Sequence, residues 1–133
     1  YISTFHPPSF PLGGDVEIFN FSSLENAWKN ASLPSEREHV TPYLYNTKKF
    51  RIMNYANKKN QSNIRYVVDR YEDLLLVKKI FEKISKRPIL MQDILQLFDR
   101  EKSLFEINKN IDHDEGYKKS LKEGSKAHDV YKE

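Results

Sequence analysis

Apolar residues recur along the chain at two spacings, and each predicts its own kind of element. Val16, Ile18, Phe19 and Phe21 are β-favouring residues in a short run, which predicts a strand from Asp15 to Phe21. Phe50 to Tyr55 and Ile64 to Val68 have the same character, and the loop between them, Asn57 to Asn63, holds no apolar residue. Helical spacing is clearest at Leu74, Val77, Phe81 and Ile84, with Lys78, Lys79, Glu82 and Lys83 on the other side, predicting a helix from Arg70 to Lys86. Pro88 stops it, and a shorter amphipathic helix from Ile89 to Phe98 follows through Ile94, Leu95 and Phe98. Earlier in the chain, Ser22 followed by Glu25 has capping-box spacing and opens a helix carrying Leu24, Ala27, Trp28 and Ala31 on one face. Ser35 and Glu38 repeat that spacing and open a helix to Tyr45, which Pro42 should kink by removing the hydrogen bond to the Glu38 carbonyl. Residues 1–14 read as irregular, with Pro7, Pro8 and Pro11 lacking backbone donors and Gly13-Gly14 set for a turn. From Lys109 onward 12 of 25 residues are charged and few are large and apolar, which predicts a docked tail or a marginal helix.

Strands alternating with helices predict an α/β fold in which helices cover a sheet. Three strands are few for a doubly wound sheet, and residue 1 is Tyr1 rather than methionine. The expectation is a processed chain or a piece of something longer, whose remaining strands lie upstream. The 133 residues amount to one domain's worth of chain, treated as a single part, 1–133.

Composition narrows the function classes. A net charge of +3, with basic residues spread evenly, gives no footprint for nucleic acid. No apolar run approaches the ~20 residues that a membrane-spanning helix needs. The absence of cysteine excludes a disulfide framework, a thiol nucleophile and cysteine-ligated zinc or iron-sulfur centres. Neither form of glycine-rich phosphate loop is present, because Gly13 and Gly14 are the only adjacent glycines. The G-x-S-x-G elbow is absent as well.

Three places carry candidate chemistry. Asp69 ends a predicted strand and begins a helix, where open α/β sheets place their ligands. It is equally an N-cap, with Glu72 at N3 completing a capping box, and one carboxylate has oxygens for both roles. The segment Pro34 to Tyr43 packs Glu36, Arg37, Glu38 and His39 into about one turn, which is either a solvated charged face or a clamp for an anion or sugar through Arg37 and His39. Glu36 and His39 share a face, but the partners a di-metal helix bundle requires are missing. Asp112, His113 and Asp114 have oxygens and a nitrogen for a divalent ion, but they lie in the polar tail, where the favoured reading is a solvated run.

In order along the chain, Phe10-Pro11-Leu12-Gly13-Gly14-Asp15-Val16-Glu17-Ile18-Phe19, Arg37-Glu38-His39-Val40-Thr41-Pro42-Tyr43, Arg65-Tyr66-Val67-Val68-Asp69 with Glu72-Asp73-Leu74, and Asn110 with Glu115-Gly116-Tyr117-Lys118-Lys119-Ser120-Leu121 resemble the C-terminal half of the spore-coat polysaccharide F-type cytidylyltransferases. These are relatives of the acylneuraminate and keto-deoxy-octulosonate cytidylyltransferases. The resemblance implies a Rossmann-like nucleotidyltransferase fold and transfer of a cytidylyl group from CTP to an acidic or related sugar, releasing pyrophosphate for surface polysaccharide synthesis. It further implies a cytoplasmic homodimer that meets neither nucleic acid nor membrane. The family holds Mg²⁺ between two aspartates, and Asp69 corresponds to one of them. Asp15, Glu17, Arg37, Glu38 and His39 match the sugar end of the site. The family's nucleotide loop and its other metal aspartate precede the first residue here, so the chain by itself is expected to be inactive. The alternative is a noncatalytic remnant serving dimerisation or partner binding. A glycosyltransferase is the nearest rival among enzymes, and the D-x-D string that would favour it is absent.

Overall fold

In the computed structural model, which describes residues 1–112 and 116–122, apolar burial is divided between two units. The first comprises Tyr1–Ser3, Val16–Tyr55 and the C-terminal residues 116–122; the second comprises Thr4–Asp15 and residues 56–112.

The first unit is built on a three-stranded sheet of very short strands, β1 (Ile2–Ser3), β2 (Glu17–Ile18) and β3 (Met53–Asn54), in the order β2-β1-β3. Ile2 lies opposite Ile18 in the antiparallel pair and opposite Met53 in the parallel one. The stretch expected to be irregular therefore supplies the central strand. Two-residue strands have no alternation to detect, which is why Ile2 and Ser3 carry no periodic signal. Helices α1 (Phe21–Asn30), α2 (Pro34–His39) and α3 (Pro42–Asn46) complete the unit. Its core joins Ala27 and Ala31 to Tyr43 and Leu44, with Tyr1, Phe19 and Phe50 against them. Trp28, expected on the buried face of α1, is 66% exposed.

The capping residues differ from the predicted ones in every case. Asn20, not Ser22, caps α1: its Oδ1 accepts from the Ser23 amide at 2.8 Å and from the Ser22 hydroxyl at 2.9 Å. Asn20→Ala is expected to lower stability by about 1 kcal/mol, read as a fall in the urea midpoint with an unchanged slope. In α2 the reach-back acid is Glu36 rather than Glu38, accepting from the Ser32 and Leu33 amides at 3.1 and 3.2 Å. Pro42 kinks nothing. It stands at the first position of α3, where its missing N–H would have had no helical partner, so a proline there is favourable rather than costly.

The second unit packs α4 (Tyr71–Lys83) and α5 (Met91–Arg100) with a 3₁₀ segment, Lys102–Ile107. Leu76, Ile80, Ile84, Leu97, Phe98 and Leu104 form its core together with Ile64. The helix predicted over 70–86 is present, but its buried face is rotated from the expected one. Leu76, Ile80 and Ile84 face inward with Asp73, whereas Leu74 is 37% and Phe81 53% exposed. Phe81 instead lies under the Arg87 guanidinium, 5.0 Å from the ring centre. The strand expected from Ile64 to Val68 is reduced to one parallel bridge between Leu12 and Arg65. The expectation of a mixed α/β chain with a small sheet and helices holds, while the strand inventory differs.

Candidate functional site

In the first unit, the end of α2 is where charged residues gather. Val40 turns the chain there with φ 67° and ψ −54°, and the Thr41 amide donates to the His39 carbonyl at 2.7 Å. A three-residue turn of this hand is strained for a β-branched side chain. It ends α2 abruptly and leaves Glu38 and His39 on the last helical turn, beside the helical residues 116–122. Ser120 from that segment is 3% exposed; its hydroxyl donates to Glu38 Oε2 and lies 3.0 Å from His39 Nε2. Tyr117 meets the His39 ring edge to face at 5.4 Å, and the Asn46 amide donates to the Tyr117 hydroxyl at 3.5 Å. A hydrogen-bonded group of Glu38, Ser120 and His39 results.

The other predicted sugar-side residues are placed differently. Arg37 points a guanidinium N–H at the Trp28 carbonyl, 2.7 Å away, and so ties α2 to α1. Glu17 accepts from the Tyr1 hydroxyl. Burial, then the Glu17 carboxylate, pushes the Tyr1 hydroxyl up to about 12. Tyr45 is also raised, by burial first and then by Tyr117. Both phenols therefore stay protonated across the neutral range, and that of Tyr1 donates to Glu17.

Asp15 belongs to the second unit, at the end of the Pro11-to-Gly14 turn. The Gly14 amide donates to the Pro11 carbonyl at 3.0 Å, and the Gly13 amide to Asp15 Oδ2 at 3.1 Å. Gly13 has φ 103°, a conformation that favours glycine, and a Cβ on Gly14 would meet the Tyr66 hydroxyl at 2.4 Å, so a side chain at Gly14 would require Tyr66 to move. Burial and then the Asp15 charge raise the Tyr66 pKa.

Asp69 lies just before α4, its side chain 69% exposed. It is not the cap. Arg70 holds that position, and Asp73 is the acid at N3, accepting from the Asp69 and Arg70 amides at 3.1 and 3.0 Å. Asp69 Oδ2 accepts from Arg65 Nη2 at 2.7 Å, and Oδ1 makes no hydrogen bond among the described residues. One hard oxygen of an exposed carboxylate is thus open. That donor set suits Mg²⁺, which takes one or two carboxylates and completes its shell with water and phosphate oxygens. Among the described residues no group of three or more acids or histidines is placed to hold a metal unaided. Of the Asp112-His113-Asp114 run, His113 and Asp114 lie outside the described residues.

Beneath Asp69 is a network that the sequence reading missed. Arg65 donates from Nε to Asp73 Oδ1 at 3.0 Å and from Nη2 to Oδ2 at 2.9 Å, while Asn108 Nδ2 donates to Asp73 Oδ1 at 2.8 Å and to the Arg65 carbonyl at 3.1 Å. Burial alone would raise the Asp73 pKa; the bonds from Arg65, Asn108 and two backbone amides outweigh it and hold the carboxyl well below the usual carboxylate range. Arg65 therefore stands with one face on a buried carboxylate and one terminal nitrogen on Asp69, fixing where Asp69 sits. The legible signal was an acid on the same helical stripe as Leu76 and Ile80.

No protein-family model matches the chain. It is 31% identical over 114 residues to an uncharacterised protein of Methanocaldococcus jannaschii, covering 84% of this chain and 46% of that protein. Its structure is similar to that of a cytidylyltransferase from Leptospira borgpetersenii serovar Hardjo-bovis, with a TM-score of 0.72 and 28% identity, covering 84% of this chain and 46% of that one. The chain spans about half the length of the relatives it matches. Among the described residues no helix is long and apolar enough to cross a membrane. In fold, and over most of its own length, the chain is similar to a cytidylyltransferase.

Proposed function

We propose that the chain is the sugar- and metal-side part of a cytidylyltransferase, on a Rossmann-like nucleotidyltransferase fold, that activates an acidic or related sugar with CTP for surface polysaccharide synthesis. The observation that carries this reading is the likeness to the Leptospira cytidylyltransferase across 84% of the chain. The order of the R-E-H-V-T-P-Y and V-D-x-x-E-D strings supports it. In this reading the complete enzyme is a cytoplasmic homodimer, and its nucleotide loop comes from the part of the relatives that the chain does not span.

The roles follow from charge and exposure. Glu38 and His39 offer an acceptor and a ring nitrogen to sugar hydroxyls, while Arg37 and Glu17 are engaged by the Trp28 carbonyl and the Tyr1 hydroxyl and Asp15 by the Gly13 amide. Asp69 is the carboxylate for Mg²⁺, with Arg65 setting its rotamer. Mg²⁺ supplies neutralisation of phosphate charge as a sugar hydroxyl displaces pyrophosphate from the α-phosphorus. No covalent enzyme intermediate is needed for such a displacement.

A second reading, a noncatalytic partner-binding module, is favoured by one observation: Val16, Ile18, Phe21 and Trp28 of the first unit are all more than half exposed, at 51%, 60%, 78% and 66%. Pyrophosphate release by the complete enzyme, measured with CTP, Mg²⁺ and a panel of acidic sugars, separates the two. Release that depends on both sugar and CTP supports the enzyme, and none with any sugar supports the module. The 133-residue chain titrated alone with CTP and Mg²⁺ in a calorimeter is expected to give no saturable heat, since phosphate-cradling backbone is missing from its sequence. Micromolar binding would mean that the chain carries a nucleotide site of its own.

A further inference from the structure

We propose that Ser120 is a positioning residue that fixes the protonation of His39 and leaves its Nδ1 as the acceptor for the attacking sugar hydroxyl. The identity of that ligand rests on the cytidylyltransferase reading; the hydrogen-bond logic does not.

An ionised Glu38 carboxylate accepts hydrogen bonds and donates none. The single proton of the Ser120 hydroxyl is spent on Glu38 Oε2, so the 3.0 Å contact between Ser120 Oγ and His39 Nε2 requires the proton of that bond to sit on Nε2. In the neutral imidazole Nδ1 is then an acceptor. Among the described residues Nδ1 has no hydrogen-bond partner, and the His39 side chain is 32% exposed, so this nitrogen is open to a ligand. The direct distance from His39 Nε2 to Glu38 Oε2 is 3.8 Å, too long for a hydrogen bond, and the buried hydroxyl bridges it. The Tyr117 ring edge-to-face with the imidazole limits its rotation from the other side.

The chemistry balances without any further group. The sugar hydroxyl passes its proton to His39 Nδ1, its oxygen forms the new bond to the α-phosphorus of CTP, and the bond from that phosphorus to the pyrophosphate oxygen breaks, with the electron pair leaving on pyrophosphate. The imidazolium so formed keeps its Nε2 proton on Ser120, whose own proton remains directed at Glu38, so the carboxylate's charge is relayed to the ring through one hydroxyl. Nothing in the local sequence pairs Ser120 with His39, since they are 81 residues apart.

The test is nitrogen-15 NMR of the His39 ring in the complete enzyme, together with steady-state turnover. The expected result is a resolved Nε2-bound proton, protected from exchange with water, that disappears in Ser120→Ala. Turnover in that variant should fall by about 10²-fold with KM for CTP unchanged, in the range of a misplaced general base. Ser120→Thr, which keeps the hydroxyl, should retain both the resonance and most of the turnover. A proton on Nδ1 in the unmodified protein overturns the proposal and needs no variant, so the test survives if Ser120→Ala fails to fold. A protected Nε2 proton that persists in folded Ser120→Ala, or undiminished turnover there, overturns it as well. If the NMR result is as expected and no sugar supports pyrophosphate release, the positioning by Ser120 stands and the cytidylyltransferase reading falls.

Discussion

Asp73→Ala is expected to destabilise the chain by about 3–5 kcal/mol, the loss typical of a buried ion pair stripped of one partner. Against a total stability of about 5–15 kcal/mol that is a large fraction of the total, and at the low end of the range it populates the unfolded state at 37 °C. The reason is the Arg65 guanidinium, whose side chain is only 4% exposed and faces a fully buried Asp73. Alanine leaves it with the exposed Asp69 as its remaining counter-ion and frees the Asn108 amide and the Asp69 and Arg70 backbone amides from their common acceptor. Asp73→Asn keeps the volume but turns an NH₂ toward donors, so it should be nearly as damaging. The pH dependence has a definite sign. The folded-state pKa of Asp73 is depressed, so its contribution is fully present above the unfolded carboxylate value near about 4 and is lost as pH falls through the lower folded value. Urea midpoints from pH 7 down to pH 2 should fall more steeply for the unmodified chain than for Asp73→Asn. Parallel curves would mean that the network contributes little.

The same residue explains where sequence reading worked and where it stopped. The helix at 71–83 was legible because its apolar spacing spans three turns, and its amphipathic successor was legible for the same reason. Which stripe of it faces inward was not, since Leu74, Leu75, Leu76 and Val77 form a continuous apolar run compatible with more than one rotation. Likewise Asp69-x-x-Glu72 and Arg70-x-x-Asp73 are both plausible starts one residue apart, and tertiary contact with Arg65 and Asn108 decides between them. Pro42 was misread because a kink and a new N-terminus look alike until the turn at Val40 is known. Asp69, Glu38 and His39 were singled out as candidates by local composition and a family likeness. Ser120 and Asn108 act through contacts of long sequence separation, and no local spacing encodes those.

Asp69→Asn separates the metal reading from a structural one, and its expected effect on activity is the largest of any variant that leaves the fold alone. Because Asp73 supplies the backbone hydrogen bonds at the start of α4, Asp69 carries no capping duty for asparagine to disturb. The Asn side-chain oxygen can still accept from Arg65, and an ion pair whose acid is mostly exposed contributes at most about 1 kcal/mol. Stability should therefore change little, and the urea midpoint checks it. Function should not be spared. A neutral amide is a poor ligand for a hard dication, and without the carboxylate the phosphate charge that builds up as pyrophosphate leaves is neutralised less well. Turnover of the complete enzyme at fixed Mg²⁺ should fall by about 10²-fold or more, equivalent to about 2.7 kcal/mol of transition-state stabilisation. Raising Mg²⁺ should recover part of it if the defect is in affinity. Equal Mg²⁺ dependence and equal turnover in Asp69→Asn and the unmodified enzyme would reduce Asp69 to a surface partner of Arg65, and the metal would have to be held by other residues.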